Sequence, residues 1–314
     1  MARFYIGPAG WSYEDWEGVV YPLRKRPGFH PLTFLAAYVN FIEINSTFYR
    51  PPTAVMSLAW VRRLAASPEF LLAVKIHQVF THDRQNFSQK DVDEFKLGVE
   101  PLRSKERLAA ILVQFPWSFY LNNANLDYLV NLFQLFADYP LAVEVRHASW
   151  GREEFFSLLR EYRVAFCNID QPVINRSLKP TAISTRPDFS YVRLHGRNYR
   201  DWFREEAGRD DRYNYFYSQD ELNEWVDRIK KLAENAERVY IITNNHYRGQ
   251  ALANALQLRN LLTGEKLEVP PLLLEKYPVL AEIAREVSSG QEGLFKEKKE
   301  DTKNQVKEKT KEAN

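Results

Sequence analysis

A single cysteine, Cys167, stands in a chain of 314 residues, so no internal disulfide staples this fold. It lies in an apolar, β-prone run and reads as buried packing rather than as a nucleophile. Long apolar runs are missing too: none approaches the roughly 20 residues that span a bilayer. The N-terminus lacks the basic, apolar and small-residue succession of a signal peptide. The expectation is a cytoplasmic protein with no membrane partner. Charge imbalance is almost absent, with 43 Lys and Arg against 41 Asp and Glu. The seven lysines and five acids after Phe295 account for that small excess and leave residues 1–295 close to neutral. A broad nucleic-acid footprint is therefore not evident, and any basic site must be local. No strand carries His-x-His and no helix His-x-x-x-His, the compact spacings that hold a metal from one element. Gly7 and Gly10 are not followed by the third glycine and immediate helix of a dinucleotide fingerprint.

What is present is alternation. Apolar residues make up 45% of the chain and charged residues 27%, enough to bury a sizeable core. Short β-prone runs occur at Phe4–Gly7, Phe41–Ile44, Phe70–Ile76, Ala109–Gln114, Leu141–Val145, Val164–Ile169, Ser190–Leu194 and Arg238–Thr243. Helical patterns separate most of them. The segment near 125–136 has apolar residues at 126, 129, 130, 132, 133 and 136, one face at period 3.6. Ser218 with Glu221 forms a capping box at the start of another helix. Only Pro172, Pro180 and Pro187 punctuate the segment between Asp170 and Ser190, which reads as an irregular crossover. The aromatic segment from Gly196 to Tyr217 reads as a lid, and a last amphipathic helix is expected near Val279 to Val287. This order predicts an α/β fold, a single-domain (β/α)8 TIM-type barrel over residues 1–295, with an irregular crossover between strands 6 and 7. Residues 296–314 read as a charged, disordered tail. A doubly wound open sheet is the alternative.

Same-face pairs ending in a polar residue close seven of these runs. Because side chains alternate along a strand, Val192 and Leu194 point one way and Arg193 and His195 the other. The same pattern gives Glu43 with Asn45, Lys75 with His77, Leu112 with Gln114, Glu144 with Arg146, Asn168 with Asp170, and Asn244 with His246. In a barrel these ends converge on the face where sites are built, so many polar ends predict one shared site.

Several of these stretches form a wider pattern. Gly-Trp-Ser-Tyr, Glu-Ile-Asn-Ser-Thr-Phe-Tyr, Gln-Phe-Pro, Glu-Val-Arg-His with Trp150, Arg-Leu-His-Gly-Arg and Asn-Asn-His appear in order over residues 4 to 262. The chain resembles the YecE-like family, domain of unknown function 72. That resemblance implies a TIM-type barrel and no particular reaction. Similarity of its barrels to the endonuclease IV and xylose isomerase group implies metal-assisted phosphoester or sugar chemistry by fold analogy alone.

Three readings of the polar ends follow. As a metal site, Glu43, His77, Glu144, Asp170, His195 and His246 would be ligands, but Lys75, Arg146 and Arg193 stand beside three of them and would repel a cation. As a structural ion network, the charges would neutralise one another, although packed apolar residues would serve stability as well. As an anion site, Lys75, Arg146 and Arg193 would hold phosphate or carboxylate. The last is the expectation, with Glu43 or Asp170 as general base and His195 or His246 as acid. Asn45, Gln114, Asn244 and Glu144 complete the polar wall, and Trp11 and Tyr49 add aromatic surface. The expected activity is a hydrolase or isomerase acting on a small anionic or phosphorylated substrate, with no cofactor and a divalent metal as the alternative. The competing class is a nucleic-acid binding module without catalysis, its loop aromatics stacking bases and Arg197, Arg200 and Arg204 meeting phosphates.

Overall fold

The structure, a computed structural model, describes residues 2–174, 176–202, 204 and 209–285. Eight strands form one parallel sheet: β1 (Arg3–Pro8), β2 (Phe41–Ile44), β3 (Leu71–Lys75), β4 (Leu108–Gln114), β5 (Leu141–Glu144), β6 (Ala165–Asp170), β7 (Phe189–Leu194) and β8 (Arg238–Thr243). Their order is β1-β8-β7-β6-β5-β4-β3-β2, every ladder parallel. The crossovers carry α1 (Pro31–Leu35), α2 (Ala54–Arg63), α3 (Gln89–Ser104), α4 (Asn123–Leu135), α5 (Glu153–Glu161), α6 (Arg209–Arg212) and α7 (Gln219–Ala233). After β8 come α8 (Gln250–Thr263) and α9 (Pro271–Lys276). This is the (β/α)8 barrel expected from the alternation.

The ring closes where β1 meets β2. Ala9 bridges to Glu43, and Gly10 N–H donates to the Glu43 carbonyl at 2.8 Å. Below that, the Asn40 side chain stands in for a strand neighbour, accepting from Ile6 N–H at 2.8 Å and donating to the Phe4 carbonyl at 2.9 Å. Gly7 is required at this seam, because a Cβ there would lie 1.7 Å from the Phe41 oxygen.

Helices pack by the expected faces. Leu129, Leu132 and Phe133 of α4 are buried, as are Leu222, Trp225, Val226, Ile229 and Leu232 of α7. The Ser218 hydroxyl accepts from Glu221 N–H in the anticipated box. Between β6 and β7 the described residues contain no helix. The buried Asn168 instead ties down this crossover, accepting from Thr181 Oγ1 and Ile183 N–H, both at 2.8 Å, and donating to the Ile183 carbonyl at 3.0 Å.

Two expectations are revised. In the described part of the helix sought near Val279 to Val287 a 3-10 turn, Pro278–Glu282, follows α9, and residues 286–287 lie outside the described residues. Pro278 lacks a donor and pushes Tyr277 out of helical backbone, which ends α9. The segment from Gly196 to Tyr217 includes the one-turn α6; Phe203 and residues 205–208 of the proposed lid lie outside the described residues, as does the 296–314 tail. Among the described residues, no helix is long and apolar enough to cross a membrane.

Candidate functional site

The barrel interior is layered. Tyr240 sits at its lower end among Tyr5, Phe41 and Phe189, with ring centroids 5.2–5.5 Å apart. These aromatics seal that end. Above them lies a buried charged layer, and above that a cavity of about 350 Å³ at the C-terminal strand ends.

Arg193, on the inner face of β7, organises the charged layer. Its Nη2 donates to Glu43 Oε1 at 2.7 Å and its Nη1 to Glu144 Oε2 at 2.5 Å. Tyr191, two residues earlier on the same face, donates its hydroxyl to the other Glu43 oxygen at 2.9 Å. Glu144 Oε1 receives Arg146 Nε at 2.9 Å and Nη2 at 2.8 Å, with His195 Nε2 at 3.2 Å. Asn244 Nδ2 lies 2.9 Å from His195 Nδ1. A neutral imidazole with its proton on Nε2 satisfies both contacts.

Electrostatics follow from this packing. Burial opposes ionisation of Glu144, but Arg193, His195 and Arg146 more than offset it and hold the carboxyl well below the usual range. Burial lowers His195 to about 3, with Glu144 opposing and Arg146 and Arg193 reinforcing, so it is neutral at pH 7. Lys75, the last residue of β3, is lowered to about 7, first by burial and then by Arg193, against the pull of Glu144 and Glu43. Cys167 shares this interior, its Sγ 4.0 Å from Glu144 Oε2, and burial raises its thiol well above the ordinary value. It is packing, as the sequence suggested.

The cavity wall is drawn from strand ends and the segments that follow them. Lys75, Arg146, Arg193 and Arg212 supply its cations; Asn45, Gln114 and Asn244 its amides; His246, Tyr13, Phe48, Tyr49 and Tyr213 its rings. Tyr13 stacks on His246 at 4.4 Å with planes 10° apart, and the fully buried Trp16 donates to the His246 carbonyl at 2.7 Å. The first loop therefore does two jobs, plugging the barrel with Trp16 and facing the cavity with Tyr13. Asn45 Oδ1 is buried with no hydrogen-bond partner among the described residues, and it awaits a donor.

Of the thirteen residues singled out from sequence, eight line the cavity: Asn45, Tyr49, Lys75, Gln114, Arg146, Arg193, Asn244 and His246. Glu43, Glu144 and His195 lie beneath the wall, fully buried and already engaged. Asp170 is elsewhere. Cys167 faces the interior, so strand alternation turns Asn168 and Asp170 outward. Asp170 accepts both contacts from Arg197 Nε, at 3.0 and 3.1 Å, between β6 and the helical layer. Burial raises its pKa, against the pull of Arg197. Trp11 also misses the cavity and packs edge-on against Trp60 of α2, with centroids 6.1 Å apart. His77 caps the turn after β3 through Val79 N–H. Tyr13, Phe48, Arg212 and Tyr213 were not singled out for the site. Tyr13 and Phe48 were visible as members of the Gly-Trp-Ser-Tyr and Glu-Ile-Asn-Ser-Thr-Phe-Tyr motifs and Tyr213 as a loop aromatic, while nothing local marked Arg212.

The proposed metal donors do not fit together. Glu43 and Glu144 are capped by arginines and Asp170 points away, and among the described residues no group of three or more His, Cys, Asp and Glu is placed to hold an ion.

Comparisons with known proteins agree with the architecture. The chain is 30% identical to the UPF0759 protein YunF of Bacillus subtilis (strain 168) over 286 residues, covering 87% of this chain and 99% of that protein. Among solved structures it resembles a DUF72 family protein of Thermotoga maritima MSB8, with a TM-score of 0.73 and 36% identity, covering 83% of this chain and 99% of that one. A DUF72 family protein of Enterococcus faecalis V583 shares the fold at a TM-score of 0.73 and 24% identity, over 82% of this chain and 95% of its own. The model of the family described as "Protein of unknown function DUF72" matches residues 5–277, and the chain belongs to that family.

Proposed function

We propose that this barrel is an enzyme, an isomerase or hydrolase, acting on a small anionic substrate held at its C-terminal mouth. One observation carries the reading: the cavity wall has four basic side chains, three of them arginines, and no carboxylate, because Glu43 and Glu144 are drawn below it by Arg193 and Arg146. The two acids hold the guanidinium groups in place, and the open side of the wall is left positive. Arg146 spends Nε and Nη2 on Glu144, and its Nη1 has no hydrogen bond among the described residues. A phosphate or carboxylate is the natural partner for that donor. At about 350 Å³ the cavity is near the lower end of ligand pockets, which suits a small molecule.

Of the four acid-base candidates taken from sequence, His246 alone stands at this wall. With Lys75 it forms the pair of titratable groups best placed to move protons. Burial and neighbouring charge make Lys75 a candidate catalytic group.

Two of the three arginines named for a nucleic-acid reading are committed elsewhere, and the third, Arg200, is exposed. Arg197 is paired with Asp170, Glu221 and Glu224, and Arg204 with Asp201 and Asp211. This favours the small molecule. The test is a turnover screen of phosphate esters, sugar phosphates and small hydroxy and keto acids, run with wild type, Lys75→Met and His246→Asn. Turnover lost in both variants supports the reading; turnover that survives both removes these residues from the chemistry.

A further inference from the structure

We propose that Lys75 is a carbonyl-binding nucleophile, whose amine forms an imine with an aldehyde or ketone carried by the anionic substrate. The inference rests on the anion-site reading and names the functional group which that substrate must bear.

Lys75 differs from the other cations around it. Arg193 and Arg146 are both bound to Glu144, at 2.5 and 2.8 Å, and Arg193 also takes Glu43. The arginines thereby consume the carboxylates of the interior. Among the described residues, Lys75 makes no ion pair and donates no side-chain hydrogen bond. Its Nζ lies 3.9 Å from the centroid of the Phe48 ring and faces the cavity. The ammonium form there has no ion pair: burial and the Arg193 and Arg146 guanidinium groups favour the free amine over the opposing pull of Glu144, Glu43 and the Phe48 ring, and Lys75 is lowered to about 7. A desolvated amine beside cations is how a lysine becomes a nucleophile at neutral pH.

The step balances without an added reagent. The Nζ lone pair attacks the carbonyl carbon, the C=O π pair moves to oxygen, and a proton passes from nitrogen to that oxygen. The carbinolamine then expels its hydroxyl as water, taking the second nitrogen proton, as the C=N bond forms. Arg146 Nη1 and Arg212 border the same cavity and would hold the phosphate or carboxylate at the other end of the molecule. The imine would acidify the adjacent C–H, which fits the isomerase arm of the proposed function.

The experiment is reductive trapping. Full-length protein is incubated with pyruvate, dihydroxyacetone phosphate or glyceraldehyde 3-phosphate, reduced with sodium borohydride, and analysed by intact mass and peptide mapping. Thermal shift with the same probes is measured in parallel. The expected result is one adduct, the probe less one oxygen, on Lys75, suppressed at least tenfold by excess inorganic phosphate and absent in Lys75→Arg, which keeps a cation. A probe that stabilises the protein but leaves Lys75 unmodified overturns the imine and leaves the anion site standing. An adduct on Lys75 that neither phosphate nor Arg146→Ala diminishes supports the imine and overturns the anion site. Neither stabilisation nor adduct with any probe overturns both, and adducts spread over surface lysines, equal in Lys75→Arg, overturn the imine.

Discussion

Replacing Arg193 by methionine tests how the charged layer is held. The residue is 2% exposed and neutralises two fully buried carboxylates, Glu43 and Glu144, through bonds of 2.7 and 2.5 Å. Methionine keeps an unbranched apolar stem, shorter than arginine's, and removes the charge, leaving one arginine for two acids. Removing one partner of a buried ion pair costs about 3–5 kcal/mol, most of it the exposure of the remaining charge to a low-dielectric interior. In a chain of this size each kcal/mol moves the melting temperature by about 2 °C, so a fall of about 6–10 °C is expected at pH 7. The pH dependence is more diagnostic than the size. In the wild type, Glu144 is depressed below its unfolded value, so its contribution is present above about pH 4.5 and lost as pH falls. Without Arg193, burial dominates and its folded pKa rises above the unfolded one. The native state then binds more protons than the unfolded state, and acidification from pH 7 to about 5 should narrow the gap between variant and wild type. Calorimetric melts across that range measure it. A loss below about 1 kcal/mol, or a gap that widens with acid, would refute the account. Combining Arg193→Met with Glu43→Gln and Glu144→Gln should recover part of the loss, since the buried acids are no longer left unpaired, while Arg146 loses its Glu144 partner.

Further expectations are local. Gly7→Ala should fail to accumulate as folded protein, because its methyl would sit 1.7 Å from the Phe41 oxygen at the seam; a soluble variant with a wild-type melting temperature would contradict that geometry. Asn168→Ala should cost about 2–4 kcal/mol through loss of three hydrogen bonds at 2.8–3.0 Å, and should raise amide exchange at Ile183 before exchange in β4; uniform exchange would argue against a local tie. His195, lowered to about 3, stays neutral in the folded state while the unfolded chain takes up a proton below about pH 6.5, so stability should fall with acid at up to about 1.4 kcal/mol per pH unit. His195→Gln should flatten that slope between pH 6 and 5, and an unchanged slope would assign it to other groups.

The barrel was legible because its signal is repeated: eight β-prone runs, most followed by a helical pattern, admit few arrangements. The convergence of polar strand ends was legible for the same reason. Depth was not. Glu43 and Glu144 stand on inner faces, as alternation requires, yet whether such a residue meets substrate or supports one that does depends on Arg193 reaching both from across the barrel, 150 and 49 residues away in sequence. Asp170 shows a second limit. Its polar partner Asn168 suggested an inner pair, but the inner face of β6 belongs to Cys167, and in a run buried on both sides parity does not identify the interior. Arg212 and Phe48 reach the wall from the one-turn α6 and from a 3-10 turn, too short for any periodicity to mark them.

The measurement that bears most directly on the anion site is isothermal titration of inorganic phosphate into wild type and Arg146→Ala at low ionic strength. One phosphate per chain, with binding weakened at least tenfold in a variant shown to be folded at the titration temperature, is the predicted result. Phosphate that binds neither protein, or both equally, would contradict a cationic wall built to hold an anion.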